Sequence, residues 1–361
     1  MFSEKAKSQI DACRFCWMCR HVCPVGLATG KEADTPRGRA VLCKYVLTGM
    51  DIQKEITSDM FACCLCNNCA SWCETGYRPE VFIREARTEA LVTNTVPPEV
   101  QPVVDRVLET GAIYAIYEEG KLTLPELPEK AAVLLVLGET ARAKQPGIAA
   151  AAVSLLKKAG ADFTALKEEP PVGAMMYDLV GELQETRNVA ARFLEAAGAT
   201  GARTIVCLDP TDARFLKQDC PRWGLTPGGE VYTSTAYLAG LAEKGVLKVK
   251  KPFKGTATFH DPCRLARDLE ETEPARALLK ACGAELKEMY LNRENTRCCG
   301  GEVMTSHSPR VTALIANTRL DDARRTGAEV CITACPGCST VLGKQGGGFV
   351  KNILELLDEC C

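Results

Sequence analysis

Spacing, more than number, makes cysteine the dominant constraint on this chain. Cys13, Cys16, Cys19 and Cys23 follow the pattern C-x2-C-x2-C-x3-C, and Cys63, Cys66, Cys69 and Cys73 repeat it. Two intervening residues let successive sulfurs of one tight loop turn toward a common point, as a small inorganic core with thiolate corners requires. Zinc favours pairs of C-x2-C over runs of four. Eight cysteines in this register therefore point to two [4Fe–4S] cubane clusters.

The fourth cysteine of each run falls where a helix starts, and in two-cluster ferredoxins it ligates the other cluster. That rule assigns Cys13, Cys16, Cys19 and Cys73 to cluster 1, and Cys63, Cys66, Cys69 and Cys23 to cluster 2. Cys43 and Cys64 fall outside the ruler and are expected to be small buried hydrophobes rather than ligands.

The chain has 361 residues, enough for two or three domains, and 46% of them are apolar. A formal net charge of −2 gives no reason to expect a nucleic-acid partner. The 21 cysteines are clustered, with none between Cys73 and Cys207, unlike the even density of a secreted disulfide scaffold. Metal sites in a reducing cytoplasm are the expectation. The start, Met1 to Ile10, lacks the apolar stretch of a signal peptide. The longest apolar runs, Ala131–Leu137 and Ile148–Val153, are too short to span a bilayer, so any peripheral membrane association is expected to go through a partner.

Residues 1–95 read as a helical ferredoxin-like module. Asp34 or Thr35 is expected to cap a helix through Ala40–Leu47, with Pro36 in its first turn. Arg37 and Arg39 are either a solvated helix start or cations near an anionic cluster, whose potential they would raise. Pro-rich segments at Val96–Pro98 and Leu124–Pro128 mark 96–130 as a linker, with one helix over 99–110. From Ala131 strands and helices alternate. Ala131–Leu137, Thr204–Leu208, Thr256–His260 and Glu329–Thr333 read as strands, and Ile148–Ala159 as an amphipathic helix closed by Gly160. This grammar argues for parallel or mixed sheets covered by helices.

The second part repeats the first. Leu156-Lys157-Lys158-Ala159-Gly160-Ala161 is similar to Leu279-Lys280-Ala281-Cys282-Gly283-Ala284, and Thr200-Gly201-Ala202 with Pro210 matches Thr326-Gly327-Ala328 with Pro336 at an offset of 126 residues. Internal duplication is the simplest account. The expected fold is α+β with α/β: an N-terminal helical ferredoxin-like module (1–95), the linker (96–130), and two facing α/β halves (131–250 and 251–361).

The last half carries Cys263, the run Cys298-Cys299-Gly300-Gly301, and Cys335-Pro336-Gly337-Cys338. Five thiols on three loops next to strand or helix ends are placed as ligands usually are in α/β folds. Adjacent cysteines rarely serve a simple tetrahedral site, and Gly300 and Gly301 would permit close backbone approach.

The stretch His260-Asp261-Pro262-Cys263-Arg264, the Cys298-Cys299-Gly300 triplet and the Cys335–Cys338 loop resemble the cysteine-rich CCG domain. That domain occurs in heterodisulfide reductases and in iron–sulfur subunits of glycolate, lactate and glycerol-3-phosphate dehydrogenases. The order of two ferredoxin-type runs followed by two such domains covers nearly the whole chain, and the segment Cys19–Arg39, with its Cys-Pro and Thr-Pro-Arg-Gly-Arg, most resembles the glycolate oxidase iron–sulfur subunit. The resemblance implies that Cys263, Cys298, Cys299, Cys335 and Cys338 hold one further iron–sulfur cluster, noncubane [4Fe–4S] in type. Zinc held by four of them is the alternative. In the first half Asp209 and Asp212 stand where Cys335 and Cys338 would be, Gly138-Glu139-Thr140 matches the Cys263 region, and Pro170-Pro171-Val172-Gly173 matches the cysteine pair. Cys207 aligns with Thr333 and is no ligand. This half is expected to keep the CCG-type fold without a cluster, as a lid or docking face.

Among the histidines, His21 is placed to hydrogen-bond a sulfide, His260 to support the site at Cys263, and His307 to be a surface or cap residue. Asp261 and Arg264 either tune the cluster or build a strand-end turn. Cys360 and Cys361 suggest a flexible tail.

No G-x-G-x-x-G follows a strand and no P-loop is present, so the chain is expected to lack its own dinucleotide site. Hydride chemistry would fall to a flavin on a partner. The resemblance implies an electron-transfer subunit of an oxidoreductase, receiving electrons from an FAD-binding 2-hydroxy acid dehydrogenase partner of glycolate or lactate type. Electrons would pass through two cubanes to the CCG cluster and on to an electron-transfer flavoprotein or a quinone-linked protein. The alternative is a heterodisulfide reductase-like catalytic subunit that cleaves a disulfide at the CCG cluster.

Overall fold

The computed structural model describes residues 2–14, 16–114 and 122–361. The described part of the N-terminal module is entirely helical. Thr35 caps the helix Pro36–Leu47, its hydroxyl accepting from Gly38 N, and Pro36 occupies the first turn as its fixed φ favours. Helices Glu4–Asp11, Lys54–Phe61 and Pro79–Val92 close around Ala40, Cys43, Met60, Tyr77, Phe82 and Ile83. Cys43 is fully buried there, as a small hydrophobe should be.

The remainder is built on two four-stranded parallel sheets. The first contains β1 (Val133–Val136), β2 (Phe163–Thr164), β3 (Thr204–Cys207) and β4 (Glu230–Thr233), in the order β2-β1-β3-β4. The second contains β5 (Thr256–His260), β6 (Glu285–Leu286), β7 (Val330–Thr333) and β8 (Val350–Asn352), in the order β6-β5-β7-β8. Parallel strands need crossover helices, which cover both faces; the uninterrupted apolar run of β1 is buried along its whole length accordingly.

The two sheets share one core. Helix Pro146–Lys158, which follows β1, packs on the last helix of the chain, Ile353–Cys360; helix Glu273–Ala281, which follows β5, packs on Ser234–Glu243, which follows β4. The exchange is reciprocal, so apolar residues of both sheets and all four helices form a single cluster from Val133 to Cys360. The strand ends that carry Asp209 and Cys335 are thereby brought to one region.

Two expectations need correction. The C-terminal cysteines are not a tail: a capping box at Asn352 and Glu355 starts the last helix, Cys360 is buried, and its thiol meets that of Cys282. The helix in the linker segment runs over Gln101–Thr110 and is no loose spacer, since Val103, Val104 and Val107 pack with Phe61, Met176 and Leu179. It braces the N-terminal module against the first sheet. The rest of that segment lies partly outside the described residues.

Candidate iron–sulfur sites

Cys13, Cys16, Cys19 and Cys73 come together at the edge of the N-terminal module, with Cys16 exposed. Burial pushes the Cys19 thiol up to about 11, and the neighbouring Cys13, Cys16 and Cys73 add to that rise. Trp17 adopts a left-handed conformation (φ +69°) that turns the loop, and its ring is covered by the Arg37 guanidinium at 3.9 Å. His21, expected to serve a sulfide, is exposed on the helix Met18–Val22.

Cys23, Cys63, Cys66 and Cys69 line one cavity of about 400 Å³. Cys23 ends one helix and caps the next, Pro24–Thr29, with its sulfur accepting from Gly26 N at 3.4 Å. Left-handed Leu65 (φ +50°) and Asn67 (φ +58°) bend the second loop, and Leu65 N donates to Cys63 Sγ at 3.4 Å. Thiolates that receive backbone N–H bonds from such bends suit an anionic cluster. Arg39 is wholly buried and close to Cys63 and Cys23; its Nε donates to Asp59 O at 2.7 Å, and it pairs with Asp34 at 3.7 Å. Of the two readings of this arginine, the cation beside the thiol set is the one observed. Tyr77 is buried near Cys69 of one set and Cys13 and Cys19 of the other.

The five C-terminal thiols converge as well. Cys263, Cys298, Cys299, Cys335 and Cys338 line a cavity of about 660 Å³. Cys335 caps helix Pro336–Gly346, its sulfur accepting from Cys338 N at 3.4 Å; Gly300 N donates to Cys298 Sγ at 3.4 Å; Cys338 and Cys299 sulfurs are 3.4 Å apart. Cys298 is the hub, within thiol hydrogen-bonding reach of Cys263, Cys299, Cys64 and Cys66. Gly300 must be glycine: at φ +120°, an added Cβ would lie 2.9 Å from Thr312 O. His260 Nδ1 accepts from Arg319 Nε at 3.0 Å, so its proton is carried on the other nitrogen, and the ring lies beside Cys299 and Cys338. Burial lowers its pKa and keeps it neutral.

Asp261 and Arg264 serve structure first. Asp261 forms a two-pronged ion pair with Arg276, at 2.7 and 3.0 Å. Arg264 pairs with Asp178 of the first half and with Asp268, while Arg84 of the N-terminal module reaches the same Asp178 at 2.7 Å. Burial opposes ionisation of Asp178, yet Arg264 and Arg84 hold its carboxyl well below the usual range. Three parts of the chain meet in this buried knot. His307, expected at the surface, is half-buried edge-on against Phe61, and burial lowers its pKa to about 4.

Strand register identifies the residues of the first sheet that occupy the equivalent places. Val136 pairs with Cys207 as His260 pairs with Thr333. Counting from those pairs, Glu139 stands for Cys263, Asp209 for Cys335 and Asp212 for Cys338. All three are buried, with Glu169 beside them and Glu302 reaching across from the second half. Glu302 Oε1 accepts from Tyr114 OH and Thr140 Oγ1, both at 2.7 Å, and Glu139 Oε2 accepts from Ile113 N at 2.8 Å. Burial pushes Glu139 and Glu302 up to about 8. Carboxylates are hard donors, and a set of them suits a soft iron–sulfur core far less well than thiolates do. The acids on Glu169 and Glu302 were not legible from spacing, because neither lies at a position matching a thiol.

The structure also brings in Cys64, which no spacing rule selected. The motif cysteines thus fall into three thiol sets, the second touching the third through Cys66 and Cys298, without a disulfide among the described residues, and each set is supplied by more than one element. That donor chemistry fits iron–sulfur groups.

Comparison with known proteins agrees. Residues 257–343 match the family model for the CCG cysteine-rich domain. The chain is 27% identical to a subunit of the dihydromethanophenazine:CoB–CoM heterodisulfide reductase of Methanosarcina acetivorans, over 97% of this chain and 92% of that protein. It is 24% identical to the glycolate oxidase iron–sulfur subunit of Escherichia coli, over 98% of this chain and 95% of that one. A crystal structure of a hypothetical protein from Helicobacter pylori shares the fold, with a TM-score of 0.61 at 11% identity, covering 99% of this chain and 73% of that one. With thiols converging at the matched loops, these likenesses make the chain an iron–sulfur subunit of the CCG type, an electron-transfer component of an oxidoreductase.

Proposed function

We propose that this subunit carries electrons from an FAD-binding 2-hydroxy acid dehydrogenase partner, of glycolate or lactate type, to an electron-transfer flavoprotein or a quinone-linked acceptor. Cys13, Cys16, Cys19 and Cys73 would hold one [4Fe–4S] cubane, and Cys63, Cys66, Cys69 and Cys23 a second. Cys263, Cys298, Cys299, Cys335 and Cys338 would hold a third, noncubane centre. Bound clusters of this kind take up and release one electron at a time.

The observation that carries this reading is the contact between thiol sets. Cys66 of the second set lies within hydrogen-bonding reach of Cys298 of the third, and Tyr77 is buried near thiols of the first and second. This supports three donor sets in series, with the first near exposed Cys16 and Trp17 and the last enclosed. Arg39 and Arg87 place cationic side chains near Cys63, and Arg264 and Arg267 near Cys66. The same strand order and register in both sheets support the duplication inferred from sequence. The carboxylates at Glu139, Asp209 and Asp212 support a first half without a cluster.

A second reading is favoured by the cavity at the third set. Cys298, Cys299, Cys335 and Cys338 share it with Arg87, Met175, Arg264 and Glu302, so charged and thioether side chains stand beside the thiols. There the C-terminal site itself would cleave a disulfide. No helix among the described residues is long and apolar enough to cross a membrane. Attachment to a membrane would then go through the partner.

Metal counting on anaerobically purified protein tests the cofactors. About twelve irons and no zinc agree with three four-iron centres, whereas about eight irons and one zinc would put zinc at the C-terminal site. Assay of the co-purified flavoprotein complex separates the two readings. Bleaching of the iron–sulfur absorbance by glycolate or lactate is expected; turnover of a heterodisulfide with no response to 2-hydroxy acids would favour disulfide cleavage.

A further inference from the structure

Cys64 follows a cysteine of the second thiol set directly, yet its sulfur meets the third. Cys64 Sγ lies 3.3 Å from Gly300 O and 3.2 Å from Met304 Sδ, and within thiol hydrogen-bonding reach of Cys298. It stands in the wall between two cavities, lining that of the second set and, with all five CCG thiols, the C-terminal one. The backbone opposite is shaped for it. Gly301 has φ +76°, and a Cβ there would sit 3.2 Å from Cys64 Cβ and 3.5 Å from its sulfur. A thiol that served only as a small hydrophobe would need no such approach to the loop that carries Cys298 and Cys299.

We propose that Cys64 is a sixth sulfur donor of the C-terminal site, supplied by the N-terminal module, so that consecutive residues serve two different iron–sulfur groups. The inference rests on the reading that the CCG thiols hold such a group. Ligation forms one iron–sulfur bond and releases the thiol proton to solvent, with no change in oxidation state. Cys63 and Cys64 then join two centres through one peptide bond, a covalent link beside the Cys66–Cys298 contact. The same bond ties the N-terminal module to the C-terminal half wherever iron is loaded.

The test uses the full chain, purified anaerobically, with Cys64→Ala, Cys64→Ser and, as a control thiol outside all three sets, Cys43→Ala. Electron paramagnetic resonance during a potentiometric titration resolves the centres. A wild-type chain with only two iron–sulfur signals and about eight irons would sink the underlying reading, whatever Cys64 does. Given a third signal, Cys64→Ala should shift its g values and midpoint potential while both ferredoxin-type signals keep theirs. Cys64→Ser, nearly isosteric and an oxygen donor, should give a third signal distinct from both. A third signal, potential and iron content identical to wild type in both variants would overturn the proposal, as would changes confined to the Cys63 centre. Cys43→Ala should leave every signal in place.

Discussion

Cys66 and Cys298 come from opposite ends of the chain and meet thiol to thiol. The contact lowers the Cys66 pKa, first through Cys298 and further through the nearby Arg267 and Arg264. Arg267 also donates from Nε to Cys66 O at 2.7 Å and from Nη1 to Thr296 O at 2.8 Å, pinning the second thiol loop to the segment that leads into Cys298. The two donor sets are thus held at fixed separation by a cation that is itself no ligand.

Cutting that pin should slow transfer without removing iron. Arg267→Met keeps much of the side-chain volume and removes the donors at three carbonyls, the third being Glu294 O at 2.9 Å. The expected result is full iron content, with rates between the second and third centres reduced several-fold in rapid-mixing experiments. Unchanged rates would mean that the Cys66–Cys298 spacing is set elsewhere.

Arg39 offers a test of electrostatic tuning. Its charge is buried beside Cys63 and Cys23, and a cation near a centre that gains negative charge on reduction raises its potential. Arg39→Met should lower the midpoint potential of the second centre most, with a smaller decrease at the third, because Cys64 also lies near this cation. The same change strands Asp34 and should destabilise the fold by about 3–5 kcal/mol, as removal of one partner of a buried pair does. Potentiometry and urea unfolding read the two effects separately.

Much of this site could be read in advance because cluster ligation is local. C-x2-C spacing encodes a loop that points its sulfurs inward, and Cys63, Cys66 and Cys69 line one cavity with Cys23. The CCG loops were legible for the same reason. What escaped was whatever depends on residues distant in sequence. Cys64 looks like filler until Gly300 and Met304 arrive from the other end. Cys360 looks like a tail until Cys282 and the reciprocal helix exchange bury it. Glu302 has no counterpart in any spacing rule, because it acts across the boundary between the halves.

Gly300 supplies a steric prediction. Its φ of +120° is disfavoured for any side chain, and a Cβ would press on Thr312 O, a backbone atom that cannot rotate away. Gly300→Ala should displace the Cys298–Cys299 pair and lose about four irons per chain, the content of one centre, while the ferredoxin-type signals remain. Retention of a normal third signal would show that the loop can adapt.

The buried acids give the fold a pH dependence of definite sign. Burial raises Glu139 and Glu302 to about 8 in the folded chain, whereas the unfolded chain titrates near the ordinary value of about 4.3. Between those limits the folded state binds more protons than the unfolded one, so stability must fall as pH rises, and the decline levels off above the folded pKa. Each such group contributes up to about 1.4 kcal/mol per pH unit in that window. Asp178 acts oppositely: held low by Arg264 and Arg84, it stabilises above the unfolded aspartate pKa of about 3.9, and that gain is lost only as pH drops further. Urea midpoints at pH 5, 6.5 and 8 should therefore decrease steadily for the wild type. Glu302→Gln keeps an oxygen to accept from Tyr114 and Thr140 but cannot ionise, so its midpoints should decline less steeply and exceed those of the wild type at pH 8. Parallel slopes for the two proteins would mean that Glu302 is ionised alike in the folded and unfolded chains, and would place the extra folded-state protons on other members of the cluster, Asp209 and Asp212.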